Sequence, residues 1–385
     1  MDALWYYAIG FIIIWVVAIL FKEQLKIDVE GPFILRRTKR LRGFIDRVAQ
    51  SHPRFWRIFL NIGIPISIFF MGLMVVTLVY SLGSLLTAPQ VQIVLPGVDL
   101  PGQAISVPFV YGLIALFTVL VVHEFGHGII SRVEGVRIKS IGVALFAVIP
   151  GAFVEPDEED VEKSKKNSRL RIYAAGSVFN LALAAITLIL FYVFSTFLIA
   201  PAFYSDGMEI DRVVPASPAE GILTTGMVIH SINGQSTTDT NSYIKALNNT
   251  KIGDELTFVT DKGTYKVKTG LNPNNATKSY IGIGTQENLI LKSGYPPAYE
   301  TLTQWILYPL KDLFYWIFLL NFAIGTINLL PARPLDGGLI FAELLDYKMS
   351  TPTVNKITNM LSIFLWTILI VSVVYGTGRG IAMLF

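Results

Sequence analysis

Residues 113–127 read LIALFTVLVVHEFGH, an apolar run without a charge that ends in His123-Glu124-Phe125-Gly126-His127. An α-helix returns to the same face after about four residues, so His123 and His127 offer both imidazoles to one metal ion. Glu124 falls on a neighbouring face, where it can handle the proton of a water held at that ion. The run belongs to a charge-free stretch, 100–122, long enough to cross the hydrocarbon core of a bilayer. Hydrolytic chemistry and a membrane location are therefore written into the same residues.

The rest of the chain agrees with the membrane location. Charged residues make up 15% of it and hydrophobic residues 52%, against about 25% charged in an ordinary soluble protein. Further charge-free stretches cover 3–21, 58–98, 172–205, 313–332 and 357–378. Each holds a bilayer-length apolar segment, which gives six expected spans. No small-residue cleavage site follows the first, so it reads as a retained span. All six are expected to be helical, because lipid cannot satisfy an unpaired backbone. The loop 22–57 carries ten Lys and Arg against four acids, which marks it as cytoplasmic. Alternation then puts 83–107 and 206–300 outside, and 132–171 and 333–356 inside. The net charge of +3, with its basic residues at membrane edges, excludes a nucleic-acid footprint. Absence of cysteine rules out disulfides, thiolate ligands and a cysteine nucleophile.

Between the fourth and fifth stretches the composition turns polar. Short apolar runs at 208–214, 227–232, 256–260 and 264–268 read as strands, and 241–247 as a short helix. Asn233-Gly234, Lys262-Gly263 and Asn272-Pro273 mark turns. The chain thus divides into two N-terminal spans with a basic cytoplasmic loop (1–82), a first part of a membrane core (104–205), a β-rich module (206–292) and a second part of the core (300–385). The module resembles a PDZ domain of the kind attached to proteases. The likeness rests on Val213-Val214-Pro215-Ala216-Ser217-Pro218-Ala219-Glu220-Gly221, Gly226-Met227-Val228-Ile229 and Ile232-Asn233-Gly234, with Met227 where an aspartate is usual. In such domains a peptide adds as an extra strand beside a glycine-containing loop. Tyr280-Ile281-Gly282-Ile283-Gly284 supplies either that edge or a plain strand with a turn.

Two imidazoles do not complete a catalytic zinc site, which takes three protein ligands and leaves a position for water. His52 lies in the basic loop and His230 in the β-rich module, so the third ligand is expected to be a carboxylate near another span's end. Asp336 fits, in Asn328-Leu329-Leu330-Pro331-Ala332-Arg333-Pro334-Leu335-Asp336-Gly337-Gly338. The third and fifth spans run in the same direction, so His127 and Asp336 fall at similar depth near the cytoplasmic side.

HEFGH on one span, NLLPARPLDGG on a later one and a PDZ-like module between them resemble the site-2 protease family of intramembrane zinc metalloproteases. The family's intervening asparagine motif is matched by Ala175-Gly176-Ser177-Val178-Phe179-Asn180, with Ser177 where a proline is common. The resemblance implies a polytopic α-helical membrane protein of about six spans with an inserted PDZ-like domain. It implies one catalytic Zn2+ on His123, His127 and Asp336, with Glu124 as the base. Asn328 would orient substrate or stabilise the oxyanion. Pro331 and Pro334 should break the helix and let Asp336 turn to the metal. Arg333 is a less typical neighbour. The family also has a membrane-re-entrant β-hairpin, matched by alternation in 136–141 and the short apolar run 142–154; a simple interfacial loop is the alternative. Asn180 and Asn328 also suit bridging between membrane helices.

The implied activity is endoproteolysis of a single-span membrane-protein substrate in or near its span, in regulated intramembrane proteolysis. The PDZ-like module would gate ectodomains outside or read a peptide C-terminus. Two other classes fit part of the pattern: a catalytically silent membrane peptide scaffold, and a metal transporter, which needs polar residues spaced along a path.

Overall fold

Along the helix that carries HEFGH, Gly112, Ala115, Val119, Gly126, Ile130 and Val133 are buried, and near its C-terminal end Gly128, Ile129 and Ser131 bury the other faces as well. The first six positions form one stripe of a helix, and His123 continues it, so that interior-facing side is also the chemical side. The computed structural model describes residues 2–30, 33–38, 41–84, 95–98, 105–146, 149–248, 250–272 and 275–382. Most of the connection 83–107 lies outside the described residues. Two units result, Met1–Phe191 with Leu310–Phe385, and Tyr192–Pro309.

The first unit begins with helix α1 (Asp2–Leu20), strands β1 (Asp28–Glu30) and β2 (Phe33–Thr38), and helices α2 (Arg42–Ser51) and α3 (Pro53–Ser81). Helix α4 (Phe109–Val133) carries HEFGH, and strands β3 (Ile138–Phe146) and β4 (Ile149–Pro156) follow it. A short α5 (Glu158–Lys163) then leads into α6 (Lys166–Val193). The segment at 136–156 is thus a hairpin and not a plain loop. It joins β1 and β2 in one antiparallel sheet of order β1-β2-β3-β4, with Leu35 opposite Ala144. Strand β4 is an edge of that sheet.

Helix α6 is the centre of the membrane core. Gly63 on α3 packs against Val178, and a Cβ at Gly126 on α4 would stand 2.9 Å from the Ala175 carbonyl. Small residues at these crossings let the helices approach closely, where lipid gives no hydrophobic drive to associate. Phe179 of α6 stacks on Trp56 at 5.4 Å. At its N-terminal end, Arg171 donates twice to Glu134, each over 3.0 Å, and Arg57 of α3 donates to the same carboxylate over 3.2 Å. One buried carboxylate thereby ties α3, α4 and α6 together.

In the second unit, β5 (Phe203–Val213), β6 (Val228–Ile232) and β7 (Gln235–Ser236) precede helix α7 (Thr240–Leu247). Strands β8 (Glu255–Thr260), β9 (Gly263–Lys268), β10 (Gly270–Asn272), β11 (Asn275–Tyr280) and β12 (Ile283–Leu291) complete it. The main sheet runs β12-β5-β6-β8-β9, with β7 paired to β6. Asn233 and Gly234 both take positive φ, at 50° and 76°, which is the two-residue hairpin turn that Asn-Gly favours. Phe258, Ile229, Ile210 and Val267 are fully buried in the core of this unit. Asp239 caps α7 by accepting from Ser242 N–H. Glu287 of β12 accepts from both the amide and the hydroxyl of Thr240, each over 2.9 Å, which links β12 to the start of α7.

The chain returns through α8 (Tyr308–Ile327), whose Gly325 packs on Asn180 of α6, then α9 (Asp336–Leu345) and α10 (Thr351–Ala382). Among the described residues, five helical segments are long and apolar enough to cross a membrane: Pro53–Ser81, Phe109–Val133, Lys166–Ala202, Ala298–Ile327 and Thr351–Tyr375. The first expected span is a shorter apolar helix over Trp5–Leu20. The architecture is that of a polytopic helical membrane protein with an inserted β-rich domain.

Candidate metal centre

Helix α8 stops at Ile327 and the chain runs irregularly to Leu335, where two prolines deny the backbone donors a helix needs. It then folds back: Gly337 N–H donates to the Asn328 carbonyl over 2.8 Å. A Cβ on Gly337 would fall on the Leu329 carbonyl, and one on Gly338 would lie 2.5 Å from Arg333 N. The glycine pair is therefore what allows the loop to pack over the first turn of α9. Asp336 is the first residue of that turn and is 8% exposed. Arg169 of α6 donates twice to Glu343, each over 2.8 Å, and pins the other end of α9. On the opposite side, Arg333 N–H donates to Ser362 and its carbonyl accepts from Trp366, both over 2.9 Å. The backbone at Arg333 thus anchors the loop to α10, and its guanidinium adds a contact to Asn355 over 3.2 Å.

His123, His127 and Asp336 converge, with one ligand atom from each lying within 4.8 Å of the others. His127 Nε2 is 3.2 Å from His123 Nε2 and 3.3 Å from Asp336 Oδ1. Tetrahedral zinc with ligand bonds of about 2.0–2.1 Å holds its donors about 3.3 Å apart, which two of the three pairs match, while His123 Nε2 stands somewhat wider, 3.7 Å from Asp336 Oδ2. The two-imidazole, one-carboxylate set is a donor combination used by catalytic zinc. His127 Nδ1 donates to the Ile172 carbonyl over 2.8 Å, which leaves Nε2 bare for a metal. His123 Nδ1 faces the Asn180 amide at 3.3 Å, and Asn180 Oδ1 is otherwise unpartnered. Rotating that amide turns its oxygen to Nδ1–H, satisfies the buried oxygen and bares His123 Nε2.

Glu124 borders the same site. Its Oε2 accepts from the backbone N–H of Val154 on β4 over 2.8 Å, which aims the carboxylate along the edge strand. Asn328 and Glu124 line, with the three candidate ligands, one cavity of about 1030 Å³ that reaches Phe153 on the hairpin. His52 is exposed and His230 half-buried, and neither belongs to this cavity. Sequence reasoning missed the Ile172 carbonyl and the close approach of Gly176. A Cβ there would stand 2.6 Å from His123 Nε2 and closer still to His127 Nε2. The only sequence signal for the latter was a run of small residues within a span.

The model of peptidase family M50 matches residues 111–371, more than half of the chain. A protein of Methanocaldococcus jannaschii with no assigned activity is 28% identical over 364 residues, covering 92% of this chain and 90% of that one. A membrane-bound transcription factor site-2 protease homologue of Arabidopsis thaliana is 33% identical over 126 residues, 32% of this chain and 24% of its own length. A protein of Clostridium perfringens, named provisionally as a zinc metalloprotease, is 24% identical over 300 residues, 62% of this chain and 87% of its own. Among solved structures, the PDZ domain of an SdrC-like protein from Listeria monocytogenes matches at 22% identity, covering 21% of this chain and 87% of that one, with a TM-score of 0.19.

Proposed function

The chain belongs to peptidase family M50 and is a membrane zinc metalloprotease, and on that premise we propose that it cleaves a single-span membrane protein within or near its membrane segment. The observation that carries this reading is the meeting of His123, His127, Asp336 and Glu124 at one cavity in the membrane core. In this reading His123, His127 and Asp336 hold the zinc. Zinc, when bound, polarises the scissile carbonyl and makes water a competent nucleophile near neutral pH. Glu124 takes the proton of the attacking water on its carboxylate and returns it to the departing amine. Its Oε2 already accepts from Val154 N–H, which leaves Oε1 the freer oxygen for the proton. Asn328, at the cavity wall, would orient the substrate or donate to the oxygen that gains charge.

A helical substrate hides its carbonyls in its own hydrogen bonds and must be unwound locally before attack. The free edge of β4 beside Glu124 supports capture of the extended form by strand addition. The basic loop 22–57 supports a site near the cytoplasmic side with the β-rich module outside. Bridging of β12 to α7 through Glu287 and Thr240 supports that module as a gate against large ectodomains more than as an open peptide groove. Release of a membrane-tethered regulator, as in regulated intramembrane proteolysis, is the use that fits these parts.

The test is the purified full-length chain in lipid vesicles with a panel of single-span reporters, and the product termini read by mass spectrometry. Cleavage in or near the span, stopped by a chelator and restored by zinc, is expected. Zinc flux without cleavage of any reporter would favour transport instead.

A further inference from the structure

Helix α6 touches all three candidate ligands, and it does so from one face. The Ile172 carbonyl accepts from His127, the Asn180 amide faces His123, and Ser177 reaches Asp336. Of the three, the contact of Ser177 is the most specific. Its hydroxyl donates to Asp336 Oδ2 over 2.8 Å, and its backbone N–H approaches the same oxygen at 3.3 Å. Ser177 is 0% exposed, so water does not compete for either partner.

A carboxylate on the first residue of a helix can rotate and offer either oxygen. Here Oδ2 is engaged by Ser177 while Oδ1 lies 3.3 Å from His127 Nε2. We propose that Ser177 is a positioning residue for metal binding: its hydroxyl holds Oδ2, which lies 3.7 Å from His123 Nε2, so that Oδ1 faces His127. Groups that orient a metal ligand from behind change affinity by about 10- to 100-fold when removed. No other side-chain donor to Asp336 is present among the described residues apart from the two histidines. Loss of the hydroxyl therefore leaves Oδ2 only the longer backbone N–H contact of Ser177 and loosens the carboxylate.

This inference rests on the zinc assignment above, and one experiment separates the two. The full-length wild type and Ser177→Ala are stripped of metal in detergent and titrated with zinc against a chromophoric chelator. Cobalt uptake is followed in parallel by its visible absorption. The wild type is expected to take up one zinc, and Ser177→Ala to bind it about 10- to 100-fold more weakly with an altered cobalt spectrum. The metal-free thermal transition should stay close to that of the wild type. Ser177→Thr, which keeps the hydroxyl, should recover most of the affinity. A wild type that takes up no zinc defeats the zinc assignment. A wild type that binds zinc, with Ser177→Ala binding equally well, defeats only the role of Ser177. If Ser177→Ala and Ser177→Gly both fail to fold, the residue is structural and the proposal falls.

Discussion

The backbone N–H of Val154 donates to Glu124 Oε2 over 2.8 Å, so the edge strand beside the cavity also holds the carboxylate expected to move the proton. Val154 pairs with Ile141 on its other side. The N–H in question therefore lies outside the β3–β4 ladder.

Proline at an outward-facing edge position removes a donor without breaking the ladder. Val154→Pro is expected to keep the fold and zinc content but lower kcat by about 100-fold, the scale of an ångström of misplacement. Val154→Ala, which keeps the N–H, should lose far less. Steady-state kinetics on a single-span reporter, with zinc content measured beside it, checks both.

Gly176 allows α6 to pass directly behind both imidazoles. A methyl group there meets ring atoms of His123 and His127 within 2.6 Å, so both rings would have to leave the positions in which they face Asp336. Gly176→Ala is expected to abolish zinc binding and cleavage together. Metal analysis of the purified variant decides it, and full zinc occupancy would show that the rings tolerate displacement.

Glu134 concerns stability more than chemistry. Burial favours its protonated form, but hydrogen bonds from Arg171, Ser168 and Arg57 outweigh this and hold its carboxyl below the ordinary 4.5. A lowered folded-state value means that the stabilisation is fully present above pH 4.5 and fades as the pH falls below it. Glu134→Gln should cost roughly 1–3 kcal/mol near neutral pH, the scale of hydrogen bonds to a charged group, because the amide keeps one acceptor oxygen and Arg57 is half exposed. The difference from the wild type should shrink below pH 4.5. Thermal unfolding in detergent across that range measures it.

Much of the site was legible because its chemistry sits in side chains with fixed spacing. HEFGH gave two imidazoles on one helical face, and the prolines and glycines around Asp336 announced a chain reversal. The β-rich module was legible for a similar reason: Asn233-Gly234 is a turn signal that the backbone obeys. The pairing of Phe33–Thr38 with the hairpin was not visible. Its arginines mark a cytoplasmic loop, and its partner lies about a hundred residues away, beyond the reach of local pattern. The hold on His127 by the Ile172 carbonyl was equally hidden, since a backbone acceptor leaves no trace in residue identity. The backbone of Arg333 fastens the loop that carries Asp336 to Ser362 and Trp366, contacts that any residue with an N–H could make and that residue identity therefore does not announce.

The central claim is that Glu124 moves the proton in a zinc-dependent cleavage of a membrane-spanning substrate. Its most direct test compares the wild type with Glu124→Gln on one cleavable single-span reporter in lipid vesicles, with zinc content determined on the same samples. Equal zinc content and a fall in cleavage rate of about 10²- to 10⁴-fold, the usual contribution of a general base, is the predicted result. Cleavage by Glu124→Gln at the wild-type rate would contradict it.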